Sequence, residues 1–187
     1  MPLSETVLHE IELHVKSGVE SPERTLRVFT EELYCPGELD RELLRQAILK
    51  ANARRAEDMK QWPEVTDVDK LDQAFAAIAE RGIVAMHDAG FTQSDGYDDF
   101  LSAYKRHRNR KAVIGYCFYT RQDLEGAIRG RGLYLAFGPS DPEDEATVGV
   151  DVGRLIVEDV RKAGLPVEWN GTFKKRIHLA GFDWKKR

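Results

Sequence analysis

A chain of 187 residues, 42% hydrophobic and 32% charged, is long enough to bury a core as one domain or one domain with an appendage. Its 28 basic and 32 acidic residues leave a net charge of -4, too even a balance to predict attraction to nucleic acid or a membrane surface. No apolar run approaches the roughly 20 residues that span a bilayer. The start Met-Pro-Leu-Ser-Glu-Thr lacks the basic and apolar stretches of a secretion signal, so a cytoplasmic address is expected.

From Leu3 to Trp62 the apolar spacing is helical: Leu3, Val7 and Ile11, then Leu26, Phe29 and Leu33, then Leu39, Leu43, Ala47 and Ile48. Three helices are predicted. Ser21-Pro22-Glu23 opens the second with an N-cap, a proline at the first helical position and an acid in the first turn, and Pro36-Gly37 is expected to end it. These helices form an N-terminal segment, residues 1–62, expected to pack on the core and to offer apolar surface for an oligomer contact. Pro63 breaks the pattern, and Thr66 with Asp69 has capping-box spacing, so an α/β domain is expected over residues 66–187.

Leu71, Phe75 and Ile78 then mark a helix ending at Gly82, and Ile83–Met86 reads as a short buried strand. A polar turn follows, then a helix through Phe100, Leu101 and Tyr104. Residues 112–119 form a second strand rich in aromatic and β-branched side chains. Thr120 with Asp123 opens a short helix, and Gly132–Gly138 brackets a third strand. After the acidic stretch Asp141–Glu145, Val148, Val152, Leu155, Ile156 and Val160 give a longer helix stopped by Gly164. Residues 166–169 and 176–179 read as an antiparallel hairpin turning at Asn170-Gly171, and Trp184 is expected to dock on the core while its basic tail stays in water. The fold class is therefore α/β, with α+β as the alternative: a mixed four- to five-stranded sheet with packed helices.

The turn after Met86 concentrates polar side chains at a strand-to-helix junction, where unpaired backbone N–H groups are available to ligands. His87 and Asp88 lie next to each other, but neighbours on an extended chain diverge. Thr92, Ser94 or Asp95 caps the following helix, which leaves Gln93 and Asp98 in surplus. Cys117 is a weak nucleophile candidate, since it requires His87 on another strand to lower its pKa. The glycine-rich segments 126–132 and 149–153 match no phosphate-binding fingerprint. The basic run Lys105–Lys111 sits at a helix end and lacks interleaved aromatics. Neither Cys35 with Cys117 nor the acidic pairs have metal-ligand spacing. No metal, no cofactor, no nucleic acid and no membrane are expected.

Four blocks occur together: Thr92-Gln93-Ser94-Asp95-Gly96, the run Gly115–Leu124, the run Gly132–Gly138, and Val167-Glu168-Trp169. The combination resembles a family of uncharacterised bacterial proteins described only as a domain of unknown function, over about residues 66–187, with the N-terminal helices matched weakly. The resemblance implies a bacterial intracellular protein and brings no activity, cofactor or catalytic residue with it. The functional expectation is a non-catalytic module that binds a protein or small molecule through the 87–98 turn, with Thr92, Gln93, Ser94, Asp95, Asp98, Tyr116 and Tyr119 as the contact residues. The alternative is a small hydrolase or transferase using Cys117 or His87.

Overall fold

A computed structural model describes residues 2–144 and 148–187, in two compact units. The first comprises residues up to Thr66 together with Lys185–Arg187, the second Asp67–Trp184.

The first unit holds α1 (Glu5–Ser17), α2 (Pro22–Arg27) running into a π-helical turn (Val28–Glu32), and α3 (Arg41–Met59). Local chemistry sets each start. The Ser21 side chain accepts from the Arg24 N–H with Pro22 at the first helical position, and Asp40 accepts from the N–H groups of Glu42 and Leu43. The middle helix stops at Glu32, short of the Pro36-Gly37 pair, because the Leu33 N–H reaches five residues back to the Val28 carbonyl and widens the last turn. Ile11, Phe29, Leu44 and Ile48 are sealed between the helices, each contributing about 1.5–3 kcal/mol of burial. The basic tail is pinned rather than left in water. Arg55 donates to the Lys186 carbonyl, and Arg187 donates to the carbonyls of Pro63 and Glu64 while lying 6.0 Å from the Trp62 ring centre.

The second unit runs α4 (Asp67–Glu80), β1 (Ile83–Met86), α5 (Gln93–Arg106), β2 (Gly115–Phe118), α6 (Arg121–Ile128), β3 (Leu133–Pro139), α7 (Val148–Lys162) and β4 (Ile177–Leu179). The sheet order is β1-β2-β3-β4. β1 pairs parallel to β2, with Ile83 opposite Gly115 and Met86 opposite Phe118. The other two pairings are antiparallel, with Tyr116 opposite Gly138 and Tyr134 opposite His178. This is the mixed α/β sheet expected, at four strands. The predicted hairpin contracts to one bridge, Glu168 to His178. Pro166 has no N–H to donate, and the Trp169 indole N–H is given to the carbonyls of Thr172 and Lys175, at 3.1 Å each, which curls the connection into a compact loop. Of the acidic stretch, Pro142–Asp144 is an exposed 3-10 turn, and Glu145 lies outside the described residues.

Strand alternation sorts the side chains onto two faces. Cys117, Leu133, Leu135, Phe137, Ile177 and Leu179 face a core closed by Leu71, Phe75 and Ile78 of α4 and Val152, Ile156 and Val160 of α7. At its rim, Arg81 donates to Asp159 at 2.6 Å, and Asp159 is 4% exposed. Met86, Tyr116, Phe118 and Ala136 face the other way, toward Ala89 and Tyr97. Here α5 comes close because Gly96 has no side chain: a Cβ there would collide with the Phe118 ring. Toward β3 and β4 this second face opens, and Tyr134 is 37% exposed. No helix among the described residues is long and apolar enough to cross a membrane.

Candidate binding cleft

The polar turn after β1 is bonded mainly to the segment that follows β2. Ala89 donates to the Tyr119 carbonyl at 2.9 Å, Arg121 donates to Gly90 at 3.0 Å and Gln122 to Phe91 at 3.3 Å, so residues 89–91 are zipped along the segment that follows β2. Asp88 takes a left-handed backbone conformation (φ 51), which aspartate tolerates better than most residues, and its carboxylate accepts from Arg121 at 2.5 Å. Thr92 caps α5, and Asp95 answers it: the Asp95 carboxylate accepts the Thr92 N–H at 2.8 Å and its hydroxyl at 2.9 Å. Those bonds, the backbone one first, hold the Asp95 carboxyl below the usual carboxylate range. Thr92 and Asp95 are thus committed to the helix start rather than offered to a ligand, and Asp98 is exposed farther along α5.

His87 and Asp88 diverge, and His87 belongs to the α4 side of the sheet. Its Nδ1 shares a 3.2 Å hydrogen bond with the Tyr119 hydroxyl, its Nε2 lies 3.5 Å from Asp72, and its ring sits 4.6 Å from that of Phe75. Tyr119, a contact candidate along with Tyr116, lies on the opposite face from it and is 2% exposed. Burial first, then the nearby Asp88 and Asp72 charges, pushes its hydroxyl pKa up. Cys117 is 0% exposed and its thiol is pushed up by burial alone. A nucleophilic cysteine needs the opposite, an accessible sulfur with a lowered pKa, whereas Cys117 is packed in the core. Each His87 ring nitrogen thus faces a neighbour, Nδ1 the Tyr119 hydroxyl and Nε2 the Asp72 carboxylate.

Gln93, Ser94 and Tyr116 do come together. With Tyr97 and Phe118 they line a recess of about 350 Å³. Gln93 and Tyr116 also border a cleft of about 510 Å³ completed by Tyr134, Lys174, Lys175 and Arg176, and at its edge by Phe137 and Phe173, which pack against the core on the other face. Gly138 gives the Tyr116 ring its place, since a Cβ there would stand 2.6 Å from the hydroxyl oxygen. Tyr134 stacks on His178 with ring centres 4.3 Å apart, and the Arg176 guanidinium lies 4.8 Å from the Tyr134 ring centre. Arg176 also donates to Asp123 at 2.8 Å. The other Asp123 oxygen accepts from Thr120 at the start of α6, so a capping box anchors this wall of the cleft. Lys174 and Lys175 are exposed, and neither joins an ion pair among the described residues.

The lining therefore offers flat aromatic faces, amide and hydroxyl groups, and two ammonium groups without ion-pair partners among the described residues. Among the described residues no three His, Cys, Asp or Glu side chains are grouped to hold a metal ion. Sequence reasoning missed Tyr134, Phe173 and Lys174–Arg176. Two signals pointed to them: strand alternation sets Tyr134 on the face of Ala136 and Gly138, and Lys174-Lys175-Arg176 is a second basic run beside an aromatic.

Together these features define an α/β domain whose half-open sheet face carries a basic, aromatic cleft. The chain belongs to the family described as a domain of unknown function (DUF6891), matched over residues 2–187. That match takes in the N-terminal helices, beyond the stretch in which the sequence blocks lie. No curated protein and no solved structure matches the chain.

Proposed function

We propose that this protein is a non-catalytic binding module whose cleft between α5, β3 and the 173–176 loop takes a small molecule with a planar ring and a negative charge. The observation that carries the reading is the pair Lys174 and Lys175, two ammonium groups without ion-pair partners among the described residues, on the rim of a cleft that Tyr116, Tyr134 and Phe173 line. Cations left unpaired beside aromatic faces attract anionic, ring-bearing ligands through charge and stacking. The cleft volume, about 510 Å³, falls in the range of small-ligand sites.

A thermal-shift titration tests this with a nucleoside monophosphate, an aromatic carboxylate and the uncharged amide of that carboxylate. One or both anions should stabilise the wild type and the amide should not. The double variant K174Q/K175Q and the single variant Y134A should each weaken the response by about tenfold, the equivalent of some 1.4 kcal/mol. Equal binding of acid and amide, unchanged binding by both variants, or no response to either anion refutes the proposal.

A further inference from the structure

The first unit carries a separate cavity. Between α2 and α3 lies a space of about 430 Å³ bordered by Leu26, Ile48 and Leu49, with Arg27, Arg41 and Arg45 around it and Glu23 as the one acid. Ile48 is 1% exposed and Leu26 6%, whereas Leu49 is 55% exposed although it is apolar and follows directly on the buried Ile48. Arg45 has only a 4.0 Å contact with Glu42, and Arg27 and Arg41 join no ion pair among the described residues. Elsewhere in the helical unit Arg24 pairs with Glu32 at 2.5 Å and Arg54 with Glu12 at 3.2 Å. Arg27 is also the last residue before the π-helical turn, a local departure from α-geometry that recurs at ligand sites.

We infer that this cavity binds a small anionic amphiphile, an acyl chain or comparable apolar body ending in a carboxylate. The apolar body covers the exposed Leu49 and rests on a floor of Leu26 and Ile48, which are nearly closed to solvent, and the carboxylate meets the guanidinium groups of Arg27 and Arg41, whose forked N–H donors suit bidentate carboxylate binding. The volume matches a single small ligand and is too small for a partner helix, about 10 Å across with its side chains. A cationic or uncharged amphiphile would leave the arginines without a counter-charge. The inference is independent of the cleft on the sheet: ligand, unit and residues all differ.

The test is a titration of the full chain with decanoate below its micelle concentration, followed by calorimetry and by the methyl resonances of Leu26, Ile48 and Leu49. Decanoate should shift those methyls, and 1-decanol, with the same chain and no charge, should bind at least tenfold more weakly. R27Q/R41Q should lose about tenfold in decanoate affinity, and L49D should lose more by placing a carboxylate at the cavity mouth. The three side chains changed are exposed on their helices or at a helix end, and an unchanged amide spectrum confirms that each variant folds. R108Q/R110Q, which removes two exposed arginines elsewhere, should bind as the wild type does. Equal affinity for decanoate and decanol, methyls that do not move, or binding that survives R27Q/R41Q overturns the inference.

Discussion

Thr92 and Asp95 illustrate how one residue pattern supports two readings. A threonine followed three residues later by an acid signals a capping box, and Thr120 with Asp123 was legible as one from spacing alone. The same spacing at Thr92 and Asp95 was overshadowed by the surplus of polar neighbours, and the bonds between the two side chains are what decide it. Folding lowers the Asp95 pKa, so the sign of its pH dependence is fixed. Its contribution to stability is complete above the unfolded value of about 4 and is lost as pH falls through the lower folded value. A carboxyl-carbon NMR titration should give Asp95 a midpoint below the one it shows in urea. Coincident midpoints would mean that the box does not form in solution. Cys117 and Tyr119 were harder to read, because alternation tells which residues share a face but not which face is closed by helices.

Elements were legible where their ends are chemical and less so where their partners are distant. Ser21-Pro22, Gly82 and Gly164 mark helix boundaries in the sequence, and the structure keeps them. The second arm of the hairpin survives as β4, while the first gives way to a loop held by the Trp169 indole, a bond between residues that no strand pattern reveals. The clasp between Arg81, just past α4, and Asp159 on α7 was equally hidden, since Asp159 sits beside the apolar stripe that ends at Val160. Asp159 is buried, and one of its oxygens has no hydrogen-bond partner among the described residues. Replacing Arg81 by alanine therefore leaves a carboxylate in a low-dielectric site and should cost about 2–4 kcal/mol. Urea unfolding of R81A would show it, and R81A/D159A should recover part of the loss. A midpoint equal to the wild type in R81A would mean that the ion pair contributes nothing.

At the scale of the whole chain, the near-neutral balance that argued against charged partners averages over two local excesses: Lys174 and Lys175 on the loop before β4, and Arg27, Arg41 and Arg45 on the helices. Composition sums charges, whereas binding depends on which of them lack a partner nearby. The sites were therefore only partly readable: Gln93, Ser94 and Tyr116 came from the sequence blocks, and the cations came from the folded geometry. The zipped turn at 89–91 has a practical consequence for anyone altering the chain. It falls between two elements, where an inserted tag is normally tolerated, yet its backbone is tied to a segment far along the chain, by Ala89 to Tyr119 among others. A short epitope inserted after Gly90 should lower the melting temperature and the yield of folded protein. The same epitope after Gly37, where a side chain added to the glycine would meet nothing within 4 Å and the bonds are local, should leave both unchanged. For display or labelling, the obvious loop is thus the wrong handle, and the short connection between the second and third helices is the usable one.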